Sequence, residues 1–359
     1  MAQMEKGVAK RPLKSIEVVG LVILALSMVG LFVNPGFIGG IFDAMVNRVK
    51  GIVVDAYLTK TLGCAIICSV LMGRVLERLG MTDALLRVFM PVASFLGVNP
   101  AVIVPGVYNI LGDINAAGRI SGPVLKRAGA TKDEQKIAVA TMVQSQQSFS
   151  TFMLGLIAMS NGGIWAFPVI ILGVFAPLVV VPLLLSKTIY RNTKRVTLDE
   201  LPSFTPNTGV LQTLSNGTKE GAEIMFLLII PAAAMVFSII GALEYIKVWQ
   251  PIEAGLTSVL SALSIDPKTG ILSVLASPTL AMNTLKDTAA TLAPKLVVGS
   301  FVLAASGFPL QVIFGQIPAV WAANSNLNER EAMEAATLGA ILRVVSAFLL
   351  AILLTPLVS

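Results

Sequence analysis

The chain contains no histidine among its 359 residues. A histidine proton relay, a histidine-activated nucleophile and histidine-based metal sites are therefore excluded. Only two cysteines occur, Cys64 and Cys68. They stand four apart on an apolar stretch, share a helical face and read as small packing residues, so neither a metal site nor an oxidising compartment is implied. Charge is scarce, at 13% of residues against 55% hydrophobic, about half the charge of an ordinary soluble domain. The net charge of +6 sits at the ends of apolar runs, without a basic domain interleaved with aromatics, so nucleic acid is not an expected partner. The apolar runs are continuous rather than alternating, which excludes a β-barrel. What these absences leave is an all-α polytopic membrane protein with the lipid bilayer as its solvent. Self-association into a homo-oligomer is compatible with that class.

Residues 1–14 carry Lys6, Lys10, Arg11 and Lys14 ahead of the apolar run Val18–Val33. No small-x-small cleavage site follows before Asn34-Pro35, so this run reads as a first transmembrane helix with a cytoplasmic N-terminus, in a cytoplasmic (inner) membrane. Gly39–Lys60 mixes Asp43, Arg48, Lys50 and Asp55 with apolar residues and reads as an interfacial amphipathic helix. Leu62–Met72 is too short to cross unless the helix begins near Ile52.

Ile137–Ser186 has no charged residue and is long enough for two crossings joined at Asn161-Gly162-Gly163. The first would run over Ile137–Ser160, with Gln144–Thr151 (QSQQSFST) in its middle third, roughly 10–16 Å below the surface. Glutamines at that depth are costly without partners. Gln144, Gln147, Ser148, Thr151 and Gly155 recur at helical spacing, which predicts one polar face. Such a stripe suits a neutral hydrogen-bonding surface for a polar solute or a coupling ion, since amides and hydroxyls supply acceptors. It equally suits hydrogen bonds that hold helices together.

Val88–Gly112 is uncharged but interrupted at Pro91, Asn99-Pro100 and Pro105. Arms of about 10–12 residues on either side of Gly97–Pro100 predict a re-entrant hairpin with its tip at Asn99-Pro100, or else a loop between crossings. Asp113 and Asn115 follow in Val107–Gly118, and Asp113 is the leading candidate for an ionisable group inside the membrane. Lys187, Arg191, Lys194 and Arg195 open a polar connector that divides the chain into residues 1–200, a connector 201–220 and residues 221–359.

The second part echoes the first. SFLGVNPAVIV (Ser94–Val104) matches SALSIDPKTGI (Ser261–Ile271), and SFSTFMLG (Ser148–Gly155) matches FPLQVIFG (Phe308–Gly315) around the break Ser306-Gly307-Phe308-Pro309. Gly173 pairs with Gly339. Two structural repeats are expected, inverted or parallel, with re-entrant or broken helices in matching positions, the arrangement that marks a transporter's binding site. Asn283, Gln311 and Gln316 would be the second repeat's contribution to the site. Arg343, deep in the last apolar helix, calls for an anionic partner from Asp113, Asp287 or a ligand carboxylate. Eight to ten crossings are expected when re-entrant arms are set apart.

The pairing of LGVNPA (Leu96–Ala101) and GVYNILGDINAAGRISG (Gly106–Gly122) with a following Gln/Ser-rich helix resembles the nucleoside-recognition (gate) domain membrane proteins. That family includes concentrative nucleoside transporters, spore maturation membrane proteins, the membrane gate of the ferrous-iron transporter and ethanolamine permeases. The local likeness is strongest to the permease-like branch, through PVASFLGVNPA (Pro91–Ala101) and Gly112-Asp113. It covers about Leu62–Ser186 and is echoed at Ile224–Leu357. The resemblance implies two repeats, re-entrant hairpins and a central substrate site. This chain lacks the glutamate-rich hairpin tips of a nucleoside transporter and any GTPase domain. The expected function is a secondary transporter of a small polar solute, nucleoside- or amine-like, coupled to Na⁺ or H⁺ and working by alternating access. No other cofactor, metal or catalytic residue is expected, and no enzymatic activity. The alternative is a non-transporting membrane scaffold or accessory subunit of a larger complex.

Overall fold

A computed structural model describes residues 13–194, 203–306 and 308–359. The basic residues Lys6, Lys10, Arg11 and Arg195, and Gly307 of the second break, lie outside the described residues. Among the described residues the secondary structure is entirely helical. Helix α1 (Ser15–Val33) touches little besides the next helix and has no buried residue. Asn34 caps α2 (Pro35–Ile52), and a π-helical stretch (Val53–Leu58) leads into α3 (Leu62–Arg78). Instead of a separate interfacial helix, α2 and α3 form one bent unit with an angle of 51°.

Helices α4 (Met81–Phe95), α5 (Val104–Leu111, after a 3₁₀ turn Pro100–Ile103) and α6 (Ile114–Arg127) follow. Next come α7 (Lys132–Gln144), α8 (Phe149–Asn161), and α9 (Ala166–Ile170), which continues through a π segment (Ile171–Phe175) into α10 (Pro177–Lys187). After the connector, α11 (Val210–Glu223) runs through a π segment (Ile224–Ile229) into α12 (Ile230–Tyr245). Then come α13 (Trp249–Ala262), α14 (Pro267–Leu275), α15 (Pro278–Thr288) and α16 (Pro294–Ala304). A π segment (Val312–Gln316) opens into α17 (Ile317–Asn324), and α18 (Glu329–Val358) closes the chain.

Among the described residues, four helical stretches are long and apolar enough to cross a membrane: Ser15–Val33, Ala166–Lys187, Val210–Tyr245 and Glu329–Val358. The bent α2–α3 pair makes a fifth. The remaining apolar helices, Pro100–Leu111, Phe149–Asn161, Pro294–Ala304 and Val312–Asn324, are shorter than a crossing, so fewer spans stand by length than the eight to ten expected. Residues 210–220 are not connector but the first turns of α11. Thr213, Gly217 and Gly221, spaced by four, bury one side of that helix. A Cβ on Gly217 would lie 3.2 Å from the Leu71 backbone, and one on Gly221 2.9 Å from that of Ile67. Small residues thus let α11 and α3 approach backbone to backbone.

The two halves of the chain pack against each other in antiparallel fashion. Helix α2 lies along α12 and α3 along α11, so the two long units run antiparallel. Helices α5 and α6 pack as a hairpin, and so do α14 and α15. The hairpins do not turn where the proline pairs predicted. Asn99 and Asp266 are instead N-caps at the feet of the first arms, accepting from the Ala101 and Thr269 amides at 3.0 and 2.8 Å. The tips fall at Gly112-Asp113 and Ala276-Ser277, where Asp113 and Ser277 cap the second arms. An Asx cap followed by proline begins a helix as readily as it makes a tip. Each arm is too short to cross alone. Helices α7–α8 and α16–α17 are broken in matching places, at Ser145–Ser148 and near Phe308–Pro309.

Candidate functional site

The break in the first apolar pair falls inside the Gln/Ser cluster. Helix α7 ends at Gln144 and α8 begins at Phe149, so the expected single polar face over 144–155 does not form. Ser148 adopts φ 62°, ψ 146°, a backbone conformation costing on the order of 1–3 kcal/mol for a non-glycine residue. The freed backbone groups find partners elsewhere. The Gln147 amide donates to the Ala305 carbonyl at the second break (2.8 Å), and the Ser148 amide to the Asn109 carbonyl in α5 (3.1 Å). The Ser148 hydroxyl caps α8, 2.9 Å from Ser150 Oγ and 3.0 Å from Thr151 Oγ1.

Both hairpin tips and both breaks meet around one cavity of about 870 Å³, its open side included. Gly112–Asn115 and Ala276–Thr279 from the tips line it, together with Gln147–Ser150 and Pro309, Gln311, Val312 and Gln316 from the breaks. The remaining wall comes from α3 and the α11–α12 unit, including Val70, Arg74, Glu220, Leu228 and Ala232.

Crossed hydrogen bonds tie each hairpin to the other repeat's broken helix. Asn115 Nδ2 of the first hairpin donates to Gln316 Oε1 at 3.0 Å. Thr151 of α8 meets Thr279 of the second hairpin at 3.1 Å between hydroxyls. Gln311 Nε2 reaches the Ala276 carbonyl at that tip at 3.2 Å. Asp113 Oδ1 accepts the Asn115 and Ala116 amides at 2.8 and 3.1 Å, leaving its other oxygen without a hydrogen-bond partner.

Of the residues singled out from sequence, Asp113, Asn115, Gln147, Ser148, Gln311 and Gln316 line the cavity, with Thr151 directly behind Ser148. Gln144, Asn283 and Arg343 do not. Gln144 is buried against α18, its Nε2 donating to the Gly339 carbonyl at 2.9 Å. Asn283 accepts from Lys286 Nζ at 3.1 Å.

Arg343 is fully buried, but neither Asp113 nor Asp287 pairs with it. Its Nη1 donates to the Gln144 carbonyl (2.9 Å) and the Gly173 carbonyl (2.6 Å). Both carbonyls are orphans of helix breaks. Gln144 ends α7, and Gly173 stands four residues before Pro177, which has no N–H to offer it. Two carbonyl dipoles thus hold one corner of the guanidinium, while Nε and Nη2 are buried without a hydrogen-bond partner.

Five residues that carry much of the polar architecture were not singled out from the sequence. Arg74 donates from Nε to Glu220 Oε2 at 2.6 Å, from Nη2 to Glu220 Oε1 and from Nη1 to the buried Glu77, with Tyr108 Oη 3.4 Å away. The fifth is Asn109, whose Oδ1 is buried without a partner, as are Oε1 of Gln146 and Gln147. The available signal was charge within the apolar run of α3: Arg74 and Glu77 fall one helical turn apart.

Arg74 and Glu220 also line a second, open cavity of about 620 Å³, its open side included, at the connector end, with Glu77, Pro206, Thr208, Thr213, Asn216 and Gly217.

No family model matches the chain, and no curated protein matches it. Among solved structures the fold is that of CNTnw, a concentrative nucleoside transporter. An inward-facing, substrate-bound CNTnw structure superposes with a TM-score of 0.60 at 16% identity, over 92% of this chain and 89% of that one. A doubly substituted outward-facing form gives 0.60 at 15% identity over 94% and 85%. A singly substituted form in an intermediate state gives 0.57 at 15% over 94% and 86%. The chain is thus an all-α polytopic membrane protein with a transporter fold.

Proposed function

We propose that this protein is a secondary transporter of a small polar solute, nucleoside- or amine-like, working by alternating access. The observation that carries the reading is the cavity where both hairpin tips and both helix breaks converge. Inverted repeats with interrupted helices at matching positions place solute and ion sites at such a junction. Amide and hydroxyl groups of Gln147, Ser148, Asn115, Gln311 and Gln316 offer both donors and acceptors there. The free oxygen of Asp113 suits an amine or a hydroxyl. Coupling to Na⁺ or H⁺ is supported by the buried, unpartnered oxygens of Asn109, Gln146 and Gln147 beside the first break, because unwound segments and helix ends are where transporters bind coupling cations.

The connector end gathers Arg78, Lys126, Arg127, Lys132, Lys187 and Arg191, which supports its lying on the cytoplasmic side of an inner membrane. Helix α1 adjoins the opposite end of the α2–α3 unit, where Phe37 packs against Tyr245 (5.6 Å between rings). As a crossing helix it therefore starts on the connector's side.

Uptake into proteoliposomes tests the proposal, with labelled nucleosides and small amines offered under an imposed Na⁺ or pH gradient. Gradient-driven accumulation of at least one class is expected, abolished in Gln147→Leu. No accumulation of any solute, together with no solute-induced rise in melting temperature, overturns it in favour of a scaffold.

A further inference from the structure

We propose that the connector-end cavity is a second, transit site for the same polar solute, and that the Arg74–Glu220 ion pair is the door between it and the central cavity. This rests on the transporter reading above and extends it. The two cavities share Arg74 and Glu220 as lining residues, so the side chains of this pair separate them. Beyond the pair, the second site is furnished for a hydrogen-bonding guest. Thr208, Thr213, Asn216 and Glu77 face it from α11, the connector and α3. Two carboxylates against one guanidinium leave it negatively biased, so neutral and cationic solutes are admitted and anionic ones disfavoured.

The helices that carry the door are not free to move apart. Gly217 and Gly221 seat α11 directly on the α3 backbone, so opening falls to the side chains. Arg74 already holds an alternative partner. Glu77, one turn away on its own helix, engages Nη1 while Glu220 takes Nε and Nη2. Release of Glu220 therefore leaves the guanidinium paired rather than stranded, which makes the swing accessible for a partly exposed pair. The trigger is also in contact. Tyr108 belongs to the first hairpin and touches Arg74 Nη1 at 3.4 Å, so a shift of that hairpin's tip bears on the door.

Thiol accessibility tests the proposal in full-length protein with Cys64 and Cys68 replaced by serine. Asn216→Cys reports the outer site and Ala232→Cys the central cavity, each treated with a membrane-impermeant maleimide from the connector side. With the door intact, Asn216→Cys should react at least tenfold faster than Ala232→Cys. Adding Glu220→Gln should raise the Ala232→Cys rate about tenfold and leave that of Asn216→Cys unchanged. A further substitution, Glu77→Gln in the intact-door background, should slow any solute-dependent change in Ala232→Cys labelling. Equal rates at both positions with the pair intact, or no response to Glu220→Gln in protein that keeps its melting temperature, overturns the proposal. Failure of the transporter reading would show separately, as labelling that follows the door while no solute moves.

Discussion

Leucine in place of Gln144 would remove the Nε2 hydrogen bond that ties α7 to the Gly339 carbonyl of α18, a loss of about 0.5–1.5 kcal/mol. The expected outcome is a lower melting temperature in detergent with solute binding retained. Gln147→Leu should do the reverse, since that side chain faces the cavity and its buried Oε1 serves no structural partner. Paired melting and binding measurements check both, and equal effects on stability would refute the separation. Asp83 sets a pH dependence outside the membrane. Partial burial alone would raise its carboxyl. Hydrogen bonds from Thr205 and Ser203 and from the Phe204 and Thr205 amides outweigh this and hold it below the usual carboxylate range. Its contribution to pinning the connector is complete above the unfolded carboxylate range and is lost as pH falls through its lowered folded value. Proteolysis within 203–209 should therefore accelerate only in acid, and Asp83→Asn should show the faster cleavage already at neutral pH.

At the scale of elements, the bent α2–α3 unit and the α11–α12 unit form an antiparallel post beside the hairpins. Gly221→Val would push a side chain into the Ile67 backbone 2.9 Å from the new Cβ, at a cost of about 1–3 kcal/mol. Thermal melting should register this, whereas Gly255→Val, with open space around its Cβ, should be silent. Much of the element order was legible: the turn at Asn161-Gly162-Gly163, the break before Pro309 and the matching of Asn99-Pro100 with Asp266-Pro267. The hairpin tips were not. Asn-Pro and Asp-Pro read locally as turns, and only tertiary contacts decide that they start arms whose tips lie a dozen residues on. The break at Ser145–Ser148 was hidden for a related reason. Its sequence keeps helical spacing, while its cost is met by the Ala305 and Asn109 carbonyls, both remote in the chain.

For the whole molecule, candidate site residues were recognised by polarity in an apolar setting, which singled out Asp113, Gln147 and Gln316 beside the cavity and Gln144 and Arg343 away from it. Arg343 looked for a carboxylate because carbonyls freed by Pro177 and by the end of α7 cannot be seen until those segments meet α18. The crossed contacts Asn115–Gln316 and Thr151–Thr279 mean that neither half completes the cavity. A chain divided between residues 203 and 209 should bind solute only when both pieces are co-expressed, and binding by either piece alone would contradict the crossed arrangement.

The same contacts impose a schedule on biosynthesis. Asn115 and Gln316 are 201 positions apart, so at ribosomal speeds of about 5–20 residues per second the first hairpin waits on the order of 10–40 s for its partner. For that interval a polar hairpin must be sheltered at the insertion machinery or held in the interface. The cavity is therefore a late product of translation, finished only after most of the second repeat has entered the bilayer.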